Sequence, residues 1–67
     1  MDTDLYSMGA YFCDRHPELV DEVIARSAAI EQRGLTGFAA DEGLGIEETF
    51  RTLLTGLAVR YFKAVSP

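Results

Sequence analysis

The stretch IEETFRTLLTGLAVRYFK, residues 46–63, decides the fold of this 67-residue chain. Its apolar residues recur at the three- and four-residue steps of a helix: Ile46, Phe50, Leu53, Leu54, Leu57, Ala58, Tyr61 and Phe62. The spacing predicts a helix over about 46–64, with Glu47 and Glu48 in its first turn, where the helix dipole favours acidic residues. This apolar stripe is wider than one small core needs. We therefore expect the helix to serve both its own fold and a neighbouring protein.

Two more helices are predicted upstream of this stretch. The first spans about 3–14, because Asp2, Thr3 and Asp4 suit a helix start and Leu5, Met8 and Phe12 then share one face. Pro17 favours the first turn of a second helix over 17–33, which carries an apolar stripe. Its buried stripe is expected to contain Leu19, Val20, Val23, Ile24, Ser27 and Ile30.

The linker between residues 35 and 45 is punctuated by glycine and predicts a short helical turn over about 36–42 that ends at Gly43. No alternating apolar and polar run is long enough to support a sheet. Gly56 lies in the middle of the last helix, where a glycine more often allows close helix packing than it marks a functional site. We expect an all-α fold: a small three-helix bundle with an extra short linking helix, in a single domain over 1–67.

Chain length makes self-association plausible on physical grounds. A 67-residue domain buries only about 60% of the surface that its unfolded chain exposes, and small domains often add disulfides, metals or oligomerisation. The single Cys13 cannot form an intramolecular disulfide, and with the single His16 it cannot supply four zinc ligands. We therefore expect an oligomer, with a homodimer as the first candidate.

Composition argues against several classes of partner. Six basic residues against eleven acidic ones give a formal net charge of −5, and the basic residues are spread along the chain, so nucleic-acid binding is not expected. The first 20 residues do not resemble a signal peptide, and no apolar run has the length of a membrane span. We expect a cytoplasmic protein with a reduced thiol and no membrane partner.

The chain offers little catalytic chemistry. Cys13 lies beside Asp14, and an adjacent acid disfavours the thiolate that a nucleophile requires. His16 has no identifiable catalytic partner, and its position before Pro17 favours a capping or surface role. Consecutive carboxylates such as Asp21 and Glu22 diverge on a helix and do not converge on one ligand. We predict no enzyme activity, no cofactor and no metal site.

One local run, Leu44 to Leu53, resembles the turn and second helix of a helix-turn-helix DNA-binding motif. The resemblance covers about ten residues and implies a small DNA-binding regulator as the alternative function. The run departs from the motif at Asp41, where the preceding helix usually carries alanine, and at Gly43, which interrupts that helix. Glu47 and Glu48 would also face phosphates at the start of the recognition helix.

Aromatic residues complete the sequence-based hypothesis. We expect Phe12, Phe38, Phe50 and Phe62 to fill the core, whereas tyrosine hydroxyls favour a wet contact surface. The function we expect is that of a small acidic, non-catalytic interaction or regulatory module that packs an apolar helix face against a second copy or a larger partner. The predicted partner-binding residues are Tyr6, Tyr11, Leu54, Leu57, Tyr61, Glu47 and Glu48.

Overall fold

The helix predicted from the opening stretch is the longest element of the fold. This helix, α4, spans Ile46–Val65 in a computed structural model that describes residues 4–66. The chain before it forms α1 (Leu5–Arg15), α2 (Val20–Arg33) and α3 (Leu35–Glu42). No strand occurs between residues 4 and 66, and the helices pack into a compact unit. The all-α prediction is therefore confirmed for this part of the chain.

The start of α1 is set by a side-chain cap. Asp4 has extended backbone angles, and its carboxylate accepts a hydrogen bond of 2.7 Å from the backbone N–H of Ser7. This bond satisfies one of the N–H groups that a helix start leaves without a partner. The predicted start near Thr3, and the contribution expected of Asp2, lie outside the described residues.

The second helix begins later than the sequence suggests. Pro17–Leu19 form a single 3-10 turn, and α2 starts only at Val20. His16 adopts φ −134°, in keeping with the restriction that a following proline imposes, and its carbonyl accepts from the Leu19 N–H at 2.9 Å. His16 makes no side-chain capping bond and is exposed, so of the capping or surface role expected for it the structure has the surface position.

A glycine ends α3, as predicted. Gly43 has φ 69° and ψ 31°, the left-handed conformation that glycine adopts without steric cost, and the Leu44 N–H donates to the Ala39 carbonyl at 2.9 Å. The helix itself is one residue longer at its start than expected. An Arg33–Asp41 ion pair of 3.0 Å links α3 to the end of α2. Glu42 shares a surface cleft with Glu22 near the start of α2, so the chain folds back along α2 before α4 begins.

Helix α4 lies between α1 and α2, each of which packs against it far more than against the other. Gly9 of α1 lies against Ala58 and Phe62, whereas Phe12 shares a cleft with Thr52 and Thr55, so α1 runs antiparallel to α4. Later residues of α2 contact later residues of α4: Ser27 lies beside Gly56, and Glu31 accepts a hydrogen bond from Arg60. These two helices therefore run in the same direction.

Candidate functional site: the outer stripe of helix α4

Small residues form the sides of α4 that contact the rest of the fold. A Cβ atom added to Gly56 would overlap the Ser27 side chain and come within 2.8 Å of the Val23 carbonyl oxygen. On the α1 side, a Cβ at Gly9 would collide with the Ala58 carbonyl and approach the Phe62 Cβ to 2.7 Å. Backbones can approach this closely only where side chains are small.

The fully buried positions of α4 follow the same rule. Thr49, Ala58 and Val59 have no exposed surface, and Gly56 is also buried. The Thr49 hydroxyl donates to the Gly45 carbonyl at 2.8 Å, which satisfies this polar group inside its own helix. The fully buried positions of α4 thus carry only glycine, alanine, valine and threonine.

Six of the larger apolar residues of α4 lie on its remaining side, which we call the outer stripe. It consists of Ile46, Phe50, Leu54, Leu57, Tyr61 and Val65. The four residues at its two ends, Ile46, Phe50, Tyr61 and Val65, are 51%, 50%, 47% and 49% exposed, and the two leucines between them are half-buried. At 100° per residue these six positions share one side of the helix, over about 28 Å of its length.

Two expectations about the core are corrected by these exposures. Phe50 was expected in the core but is half exposed, because the turn of α4 that carries it points Thr49 inward instead. Leu19 was expected in the buried stripe of the second helix but is 38% exposed, because it belongs to the 3-10 turn that precedes α2. Phe38 is buried as expected, and Phe12 and Phe62 are half-buried.

The stripe predicted from periodicity therefore splits in two. Ile46, Phe50, Leu54, Leu57 and Tyr61 remain together on the outer stripe, and Leu53 is half-buried. Ala58 and Phe62 instead contact α1 through Gly9. The sequence reasoning missed the role of Gly9, whose presence in an otherwise helical run was the available indication, and it missed buried Val59.

The predicted tyrosine contacts fall in different places. Tyr61 lies on the outer stripe, and the Tyr6 ring packs edge-on against Phe62 at 5.0 Å between centroids while 42% of the residue stays exposed. Tyr11 is 60% exposed, and the Arg15 guanidinium lies 5.0 Å from its ring centroid. Helical spacing puts Tyr11 about 160° around α1 from Gly9, away from the contact with α4.

The two ends of α4 carry charges of opposite sign. Glu47 and Glu48 are exposed in its first turn, and Lys63 lies in its last. Arg60 donates to Glu31 at 2.9 Å and so joins α4 to α2. The helix is therefore acidic at its N-terminal end and basic at its C-terminal end, as its dipole favours.

Other parts of the described chain offer less chemistry. Cys13 is half-buried, and the His16 ring packs against Phe12 at 5.2 Å between centroids. Residues 4–66 contain no group of three potential metal ligands. A cleft of about 240 Å³ lies between α1, α2 and α4, lined by Phe12, Leu19, Val23 and Thr52 with Glu22 and Arg26. Ligand pockets usually start at about 300 Å³, so this cleft is small for one, and a cleft of about 310 Å³ between α2 and α3 is a shallow, open depression.

The helix-turn-helix resemblance can be placed on α3, the connection at residues 43–45 and α4. Ile46 and Phe50, at the apolar positions of the resembling run, are half exposed. Glu47 and Glu48 are exposed in the first turn of what would be the recognition helix.

Comparison with known proteins adds no relative: no protein-family model, curated protein or solved structure matches this chain. Among residues 4–66, no helix is both long enough and apolar enough to cross a membrane. The function must therefore be argued from the outer stripe itself.

Proposed function

We propose that this chain is a non-catalytic protein-interaction module, a small α-helical bundle whose outer stripe binds an apolar helix face of another protein molecule. One observation carries the proposal: α4 packs most closely against its own fold at Thr49, Gly56, Ala58 and Val59, and it leaves Ile46, Phe50, Tyr61 and Val65 about half exposed on one side. Half-exposed side chains such as Phe50 and Tyr61 each leave about 100 Å² uncovered, and a contiguous patch of such groups is typical of an interaction site.

The position of the aromatic residues supports the same function. Phe50 and Tyr61 stand at either side of the two half-buried leucines, Leu54 and Leu57. Aromatic side chains surrounded by apolar contacts carry much of the binding energy of protein interfaces. Glu47 and Glu48 at one end of the stripe would favour a basic partner surface and speed encounter more than they add affinity.

Site-specific photo-crosslinking tests the proposal directly. Benzoylphenylalanine in place of Phe50 should form protein adducts in the cells that express the chain, because the new ring occupies the outer stripe. The same probe in place of Tyr11 is the matched control, since Tyr11 is an exposed aromatic residue away from α4. An adduct of twice the chain mass would identify a second copy, and other masses would identify a different protein.

A second substitution separates specific contact from chance collision. Leu57→Asp or Tyr61→Asp should reduce adducts at position 50 by about tenfold or more, because a charge must then be buried in the contact. Circular dichroism should show unchanged helicity. The proposal fails if position 50 gives no adduct, if positions 50 and 11 react equally, or if neither aspartate has an effect.

The alternative, a small DNA-binding regulator, predicts a different result. Phosphate-driven binding would appear first at low salt and fade as salt increases. Fluorescence anisotropy with duplex DNA at low salt measures this, and Arg51→Glu at the start of α4 should abolish any such signal. Binding at low salt that survives Leu57→Asp would favour the alternative over the protein contact.

A further inference from the structure

The outer stripe reads nearly the same in both directions along α4. Its successive spacings are four, four, three, four and four residues, and its residue types are β-branched, aromatic, leucine, leucine, aromatic and β-branched. Reversing the helix therefore superimposes Ile46 on Val65, Phe50 on Tyr61, and Leu54 on Leu57. In an interface between two identical subunits related by a two-fold axis each contact occurs twice, and with this pattern such contacts would join aromatic to aromatic and leucine to leucine.

We infer that the occupant of the outer stripe is a second copy of this chain, paired antiparallel through α4, an inference that rests on the proposed function. In this pairing Phe50 of each copy lies opposite Tyr61 of the other, and Leu54 lies opposite Leu57. The two-fold axis passes between residues 55 and 56. Aromatic groups face aromatic groups, and the two leucine pairs fill the centre.

Charge supports the antiparallel direction. Glu47 borders the outer stripe near the start of α4, and Arg60, which is ion-paired with Glu31, borders it near the end; Glu48 and Lys63 lie on the opposite side of the helix. Antiparallel helices bring the acidic end of each copy towards the basic end of the other, and their dipoles are also opposed favourably. A parallel pair would place Glu47 of one copy beside Glu47 of the other.

The available area is also consistent with a pair. Six stripe residues at these exposures leave roughly 500 Å² per copy, so two copies together would bury roughly 1,000 Å². That value lies at the lower limit for specific interfaces, which indicates a concentration-dependent dimer. The small residues at Gly9 and Gly56 hold α1 and α2 on other sides of α4, which leaves the stripe open to a second helix.

Cysteine crosslinking of the purified chain tests the register. In a Cys13→Ser background, Phe50→Cys and Tyr61→Cys are made separately, and both are checked for helicity and for dimer formation by light scattering. When the two variants are mixed under mild oxidation, a disulfide should form between position 50 of one copy and position 61 of the other. This disulfide should form at least about tenfold faster than the disulfide that either variant forms with itself. Positions of the same number are separated by about 16 Å along antiparallel helices, which a disulfide cannot span.

The outcomes separate this inference from the proposed function. Rapid crosslinking of each variant with itself would show parallel pairing and overturn the antiparallel register. A monomer at all concentrations would overturn self-pairing altogether. In either case, photo-crosslinked adducts at position 50 that disappear in Leu57→Asp would still support the proposed interaction function. If no such adducts form, both the self-pairing and the interaction function are overturned. The pair Ile46→Cys and Val65→Cys, at the ends of the stripe, repeats the test if the first variants do not assemble, because same-numbered positions there are separated by about 28 Å.

Discussion

Four small residues determine how the helices of this protein approach one another. Gly56 faces Ser27 across the α2 contact, and Gly9 faces Ala58 across the α1 contact. The Ser27 hydroxyl donates to the Ile24 carbonyl at 2.9 Å, so this fully buried polar group is satisfied within its own helix. The sequence predicted the packing role of Gly56 but gave no partner for it.

Substitution of Gly56 tests the close approach. Alanine favours a helix by about 1 kcal/mol over glycine, yet its Cβ would overlap Ser27. We expect Gly56→Ala to lower the free energy of unfolding by about 1–3 kcal/mol through overpacking, measured by urea denaturation at fixed protein concentration. Gly37→Ala in α3 is the matched control, because its Cβ would meet only an ordinary contact at 3.8 Å. Equal stabilisation by both substitutions would contradict the packing described.

The cap at Asp4 makes α1 sensitive to acid. The pKa of the Asp4 carboxyl is lowered by hydrogen bonds that it accepts from Ser7. The bond from the Ser7 backbone lowers it more than the bond from the Ser7 side chain. Because this pKa is lower in the folded state, the ionised cap contributes its full stability at pH values above the unfolded-state pKa of about 3.9. That stability is lost as the pH falls through the folded-state pKa. Asp4→Asn keeps an acceptor but cannot titrate. Below about pH 4, the wild-type chain should lose more α1 helicity than this variant, as measured by circular dichroism. The same pH dependence in both chains would refute the effect.

At the scale of elements, α1 depends on a single neighbour. It packs chiefly against α4, through Gly9 and through the Tyr6 ring on Phe62, whereas α2 has contacts with both α3 and α4. Local stability follows such contacts, so α1 should open more readily than α2.

Hydrogen exchange of the amides measures this difference. In Gly9→Ala the new Cβ would meet the Ala58 carbonyl and push α1 from α4. We expect faster exchange throughout Leu5–Arg15, with little change in Val20–Arg33. A uniform increase in both helices would instead show that α1 and α2 unfold as one unit.

Helix α4 also shows what periodicity can and cannot predict. Its extent and its shared apolar positions follow from spacing, and in α2 the i,i+4 spacing of Glu22 and Arg26 likewise accounts for their ion pair of 3.2 Å. Spacing did not reveal that Phe50 would lie outside while Thr49 is buried. A helical stripe fixes which residues share a side, but the neighbouring helices decide which side is covered.

At the scale of the whole molecule, the core is made mostly of modest side chains. The buried apolar residues are Val23, Ile30, Phe38, Ala39, Ala58 and Val59, in a structure measuring 36 × 27 × 19 Å. A 67-residue chain with this core has little stability in reserve, and binding of a second copy or another partner would add to it by mass action. The proposed use of the outer stripe therefore serves stability as well as recognition.

The sequence by itself determined an all-helical chain, the long final helix, the glycine that ends α3 and the surplus of apolar residues on α4. Only the tertiary structure decided that α4 contacts its own fold through Gly56, Ala58 and Val59 and presents Phe50, Leu57 and Tyr61 outward. The physical reason is that side-chain spacing along a helix is local, whereas burial depends on how closely other backbones can approach. Small residues permit that approach, and Phe50 and Tyr61, on the side that no helix between residues 4 and 66 covers, stay about half exposed.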